Sequence, residues 1–178
     1  MNMTAIEPDI LKARILIVDD QAVNVQLLEQ LLSQAGYTNV SSTIQPTEVC
    51  PLHEADPYDL ILLDLKMPVM DGFQVMAGLK ANIKPAATDD YDHQGKLSTY
   101  LPVIVLTAEP GHKLRALNAG ARDFISKPFD LVEVKTRIHH MLEVRLLYKM
   151  IAEKNRLLQE TLRERTAKLL LSEDHSLG

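Results

Sequence analysis

An aspartate stands where a buried strand should end. In "LILLDLKMP" (60–68) the apolar run Leu60 to Leu63 reads as a strand, yet it runs straight into Asp64, with Lys66 and Pro68 behind it. A carboxylate held at the lip of a hydrophobic strand costs free energy unless the charge has a use. Chemistry-bearing residues recur at the equivalent place in other apolar runs: Asp19 and Asp20 follow "RILIV" (14–18), Thr107 follows "VIVL" (103–106), and Lys127 follows "DFIS" (123–126). Open parallel sheets collect their chemistry at the carboxyl ends of the strands. Three carboxylates, a hydroxyl and an ammonium would therefore meet on one edge. Singly, each has an ordinary explanation as a helix cap, turn residue or surface charge. As a set they point to one site. Three like charges raise one another's pKa values unless a cation joins them, and a hard-oxygen cluster suits Mg²⁺. With that charge neutralised, one carboxylate can attack a phosphoryl group while Lys127 and Thr107 hold other phosphoryl oxygens.

The elements that must position these residues are legible as an alternation. "RILIV", "LILL" and "VIVL" are almost wholly apolar, as parallel strands covered on both faces are. "VSSTI" (40–44) and "DFIS" are weaker strands. Between them lie stretches with helical spacing, such as Leu27, Leu28, Leu31, Leu32 and Ala35, with Gly36 as the stop. A βα unit repeated five times implies an α/β fold, a parallel sheet with helices on both faces. Two places disturb the pattern. Pro51 falls inside the second helix, expected over 46–55, which should be short, distorted or late-starting. Residues 82–102 are long and polar for an αβ connection and read as an exposed loop.

From Asp130 the character changes. "DLVE" is an N-cap pattern, and after it no Gly or Pro occurs before Gly178. Steps of three and four from Met141 pass through Val144, Tyr148, Ile151, Asn155, Leu158, Leu162, Arg165 and Leu169, and seven of these nine positions are apolar. That is a coiled-coil seam with Asn155 at an a position, where a buried Asn pair favours a parallel two-stranded register. The expected organisation is a domain over 13–143, a helical dimerisation or linker segment over 144–171, with Tyr148, Ile151, Asn155, Leu158 and Leu162 on its seam, and flexible termini at 1–12 and 172–178. The other reading of the segment is a helix folded back on the domain, or a half-ordered tail.

Composition excludes several functions. Residues 1–130 hold 10 Lys and Arg against 17 Asp and Glu, and residues 131–178 hold 9 against 7, so neither part offers the basic face that direct nucleic-acid binding requires. No apolar stretch is long enough to span a membrane, and "MNMTAIEPDI" is unlike a signal peptide. One cysteine, Cys50, excludes an internal disulfide and a multi-cysteine zinc site. A reducing cytoplasm is expected.

"ILIVDD", "DLILLDLKMPVMDG", "PVIVLTA" and "FISKPF" resemble the signatures of response-regulator receiver domains of two-component signalling, in the family's order, over residues 13 to about 143. The resemblance implies a five-stranded flavodoxin-like fold and a phosphoacceptor signalling domain that is not an enzyme beyond slow self-dephosphorylation. It implies that Asp64 takes a phosphoryl group from a histidine kinase or phosphotransfer protein. It assigns Asp20 and Asp64 to the metal, with Asp19 in support and the Lys66 backbone carbonyl as a further ligand. Lys127 would contact the phosphate, through a bond to Pro128 that is usually cis. Thr107 and Phe124 match the two switch positions, and helix four, strand five and helix five match the usual output face. Lys66 and Glu109, each two residues beyond a site residue, would flank its mouth and tune the phosphate's lifetime. The C-terminal helix resembles those that lead to diguanylate cyclase, HD-type phosphodiesterase or kinase domains, so the chain can equally be the receiver fragment of a longer regulator. A haloacid-dehalogenase-like phosphatase would carry a second Asp where Lys66 stands, and a scaffold with a vestigial site would not need the full set.

Overall fold

The computed structural model describes residues 7–82 and 100–174. Five parallel strands, β1 (Arg14–Val18), β2 (Asn39–Thr43), β3 (Leu60–Asp64), β4 (Val103–Thr107) and β5 (Asp123–Ser126), form one sheet in the order β2-β1-β3-β4-β5. The connecting helices are α1 (Ala22–Gln34), α2 (Val49–Ala55), α3 (Gly72–Asn82), α4 (His112–Ala119) and α5 (Leu131–Asp174), with a single helical turn, Glu7–Ile10, ahead of β1. This is the expected α/β flavodoxin-like architecture.

Alternation along the central strands builds two cores. Ile15, Ile17, Leu60, Leu62, Ile104 and Leu106 face one way, against Leu28 and Leu32 of α1 and Val134, Ile138 and Leu142 of α5. Leu16, Val18, Ile61, Leu63, Val103 and Val105 face the other, against Val49 of α2, Val75, Met76 and Leu79 of α3 and Ala116 of α4. Every residue of β3 and β4 is buried, which is why these strands carry no polar alternation until Asp64 and Thr107. The pairing keeps the strand ends level: Val18 lies opposite Leu63, Asp64 opposite Leu106, and Thr107 opposite Ser126.

Local departures from the sequence reading have local causes. Strand β2 sits one residue earlier than expected, and Leu27 is exposed while Val25 takes the inward position on α1. A 3-10 turn over Pro46–Glu48 leads into α2, so Pro51 falls in the first turn of the α-helix, where its missing N–H has no intrahelical partner to lose. Helix α4 begins only at His112, after Pro110 and Gly111, and ends at Gly120, whose φ of 109° lets its N–H bond back into the last turn. Ahead of β1, Ile10 is 1% exposed in the core, and the Leu11 carbonyl accepts the Thr38 N–H. Asp130 caps α5 by accepting the Glu133 N–H at 2.8 Å. The Glu133 side chain, however, turns to Arg137 and does not close a capping box. The long connection expected as an exposed loop lies, over 83–99, outside the described residues.

The chain divides into two compact units, residues 1–84 with 101–146, and residues 85–100 with 147–178. Helix α5 contributes residues to both. In the second unit Ile151, Leu158 and Leu162 are exposed, Tyr148 stacks on Tyr100, and Arg156 bridges Glu153 and Glu160. Among the described residues no helix is long and apolar enough to cross a membrane.

Candidate functional site

The level ends of β1 and β3 lie at the point where the strand order reverses, the crevice in which open α/β sheets hold ligands. Asp19, Asp20 and Asp64 meet there, with one oxygen from each lying within 4.8 Å of the others. Asp19 is fully buried and Asp64 nearly so, while Asp20 is half-buried. Lys127 reaches in after β5: its Nζ lies 2.7 Å from Asp19 Oδ2 and 3.1 Å from Asp64 Oδ1. The Lys127–Pro128 peptide bond is cis.

The three carboxylates are not equivalent. Asp19 is fully engaged: Asn24 Nδ2 donates to both its oxygens at 3.1 and 3.0 Å, the Gln21 N–H donates to Oδ1 at 2.9 Å, and Lys127 takes Oδ2. Its charge is thus tied into the protein. Asp64 accepts from Lys127 and from the Lys66 N–H, yet burial holds its carboxyl above the usual carboxylate range, since desolvation outweighs the lysine's opposing pull and nearby Asp19 adds repulsion. Asp20 Oδ1 is buried with no hydrogen-bond partner. An orphaned carboxylate oxygen in a cluster of three acids and one ammonium, net −2 when all are ionised, is the donor chemistry of a divalent hard cation. The residues present fit Mg²⁺.

The rim is built from two loops. Gly72 opens α3 against the strand end: a Cβ there would meet the Asp64 carbonyl oxygen at 2.6 Å, so only glycine lets α3 start this close to the acceptor strand. Lys66 points outward, its Nζ 3.1 Å from Glu109 Oε1, and His112 Nε2 lies 3.2 Å from Glu109 Oε2. The hydrogen bond from Lys66 foremost, with the neighbouring His112 and the Lys66 charge, holds the Glu109 carboxyl below its ordinary range. The buried Thr107 hydroxyl is engaged with the Glu109 backbone, accepting its N–H at 3.1 Å and donating to its carbonyl at 3.3 Å. On β5, the half-buried Phe124 has Lys113 Nζ 4.6 Å and the Arg137 guanidinium 5.5 Å from its ring centre. Both are cation–π distances. Arg137 also binds both oxygens of Asp123 at 2.7 Å.

Asp19, Asp20, Asp64 and Lys127 are therefore brought together at the strand ends. Thr107 lies at the end of the adjacent strand, Phe124 on β5, and Lys66 presents its N–H to the site and its side chain to Glu109. Three participants escaped the sequence: Asn24, Gln21 and Gly72. The spacing of Asn24, five residues after Asp19 and early in α1, was the only available hint.

A family model described as "Response regulator receiver domain" matches residues 15–139. The chain belongs to that family. It is 36% identical over 139 residues to the Response regulator PleD of Caulobacter vibrioides, covering 77% of this chain and 28% of PleD. It is 32% identical over 133 residues to the Transcriptional regulatory protein YvrH of Bacillus subtilis, covering 74% of this chain and 49% of YvrH. The chain thus spans between about a quarter and a half of these relatives' length. Among solved structures, the receiver domain of the sensor histidine kinase PA1611 from Pseudomonas aeruginosa is 27% identical with a TM-score of 0.59, covering 74% of this chain and 98% of that one. That structure is described with a magnesium ion coordinated in the active site cleft. The receiver family is a signalling family, and the described residues contain no enzymatic output domain.

Proposed function

We propose that the chain is a phosphorylation-controlled response regulator in which Asp64 accepts a phosphoryl group from a histidine kinase or phosphotransfer protein in the cytoplasm. The observation that carries this reading is the partly neutralised acid cluster around a buried Asp64, with Lys127 bridging it to Asp19. Asp20, Asp64 and the Lys66 carbonyl would hold Mg²⁺, with Asp19 behind them. The ion supplies charge neutralisation for the phosphoryl oxygens and the clustered acids. In the reaction an Asp64 oxygen forms a new bond to phosphorus while the bond from phosphorus to the donor nitrogen breaks, and the donor imidazole keeps that electron pair. Lys127, already 3.1 Å from Asp64 Oδ1, turns its ammonium to the incoming phosphoryl oxygen. Thr107 leaves the Glu109 backbone to donate to another.

Release of Thr107 from Glu109 would disturb the start of α4, and Phe124 would turn inward, out of reach of Lys113 and Arg137. The α4–β5–α5 face would then transmit the change, and α5 would carry it through a parallel dimer with Tyr148, Ile151, Asn155, Leu158 and Leu162 at the seam. Lys66 and Glu109, paired across the mouth, would impede attacking water. The second reading is a receiver fragment of a longer regulator with a diguanylate cyclase, HD-type phosphodiesterase or kinase output. The chain's 28% coverage of PleD favours keeping it.

Acetyl phosphate tests the reading. With Mg²⁺ the protein should gain one hydroxylamine-labile phosphoryl group, and chelation should prevent it. Steady phosphate release without an adduct would instead indicate a phosphatase, and no reaction at all would indicate a scaffold.

A further inference from the structure

The second unit contains a contact that a coiled-coil pattern does not call for. Tyr148 occupies an a position, one heptad before Asn155. Its ring is stacked on that of Tyr100, with centroids 4.6 Å apart and planes inclined by 26°. Tyr100 is not part of the helix; it comes from the segment just ahead of β4. A two-stranded seam takes one side chain per helix in each layer, between axes about 8–10 Å apart. Two Tyr148 rings already fill such a layer. A further ring stacked on each would overpack it, and stacked aromatic pairs attract beyond the area they bury.

We infer that Tyr100 is an intramolecular competitor for this seam position: it holds Tyr148 within its own chain, and self-association along α5 requires the stack to open. The inference rests on the dimer reading given above. It makes dimerisation weaker than the seam alone would allow. Ile151, Leu158 and Leu162 are exposed, so one blocked layer sets the entry to the seam rather than abolishing it.

Sedimentation equilibrium of the full chain tests this with three variants. Tyr100→Ala should dimerise roughly fivefold or more tightly than wild type, because two stacks no longer oppose each association. Tyr100→Phe, which keeps the ring, should match wild type. The double variant Leu158→Lys, Leu162→Lys should be monomeric. If Tyr100→Ala dimerises no better than wild type while the double variant is monomeric, the competitor role is overturned and the dimer stands. If wild type and Tyr100→Ala are both monomeric at every concentration, the dimer reading falls and this inference with it.

Discussion

Asp64 is a buried carboxylate whose charged form is held at the expense of the fold. Its folded pKa is raised, chiefly by burial, so the folded state binds that proton more tightly than the unfolded chain does. The sign follows: the group favours folding at low pH, and the benefit is lost as pH rises through its raised folded pKa. Asp64→Asn should therefore raise the apo protein's melting temperature at pH 7. The advantage should shrink as pH is lowered through the Asp64 titration, which melting curves across pH would show. Saturating Mg²⁺ should stabilise wild type by about 2–3 kcal/mol at a hundred times its dissociation constant, and should not stabilise Asp20→Asn, which replaces a carboxylate oxygen by an amide nitrogen and removes the charge. At this scale the sequence was informative where a charge contradicted its surroundings. Asp64 after four buried residues announces itself; Asn24 and Gly72 do not, because their roles exist only once α1 and α3 are docked against the strand ends.

Among the elements, the strands were legible because burial on both faces leaves little but apolar side chains, and the weaker β2 was misplaced by one residue because its exposed edge imposes no such pattern. Helix α5 was legible from its cap, but its anchor was not. Arg145, buried on α5, lies 3.5 Å from the buried Asp59 at the start of β3, and Asp59 also accepts the Arg14 N–H. His53 stands beside them, its imidazole held below its usual pKa, first by burial and then by Arg145. Asp59→Ala removes both the carboxylate beside Arg145 and the acceptor of the Arg14 N–H, so it should lower stability in denaturant unfolding. A ring-and-charge contact around Phe124, by contrast, depends on α4 and α5 approaching β5 together. Across the site mouth, truncating either Lys66 or Glu109 to Ala should shorten the phosphate's lifetime severalfold. Unchanged autodephosphorylation in both variants would remove that pair from the account, and stability should change little in either, because the pair is exposed.

For the whole molecule, the βα alternation and the four family motifs carried the fold class and the identity of the family, while the order of the strands came only with the structure. The division of the chain was less legible. Ile10, ahead of β1, is buried in the core, and Tyr100 falls in the same unit as the distant residues from 147 onward. A heptad count along one helix cannot foresee that Tyr100 would stack on Tyr148. The seam itself makes a prediction at this scale. Asn155→Ile replaces the residue that specifies two strands with one that favours higher order, so light scattering should find assemblies larger than a dimer. The central claim concerns one oxygen atom of one residue. Intact-mass and fragment-mass measurement after treatment with a small phosphoryl donor and Mg²⁺ tests it most directly. Wild type should gain a single phosphoryl group localised to Asp64, and Asp64→Asn should gain none; an unmodified wild type, or an Asp64→Asn variant modified to the same extent, would contradict it.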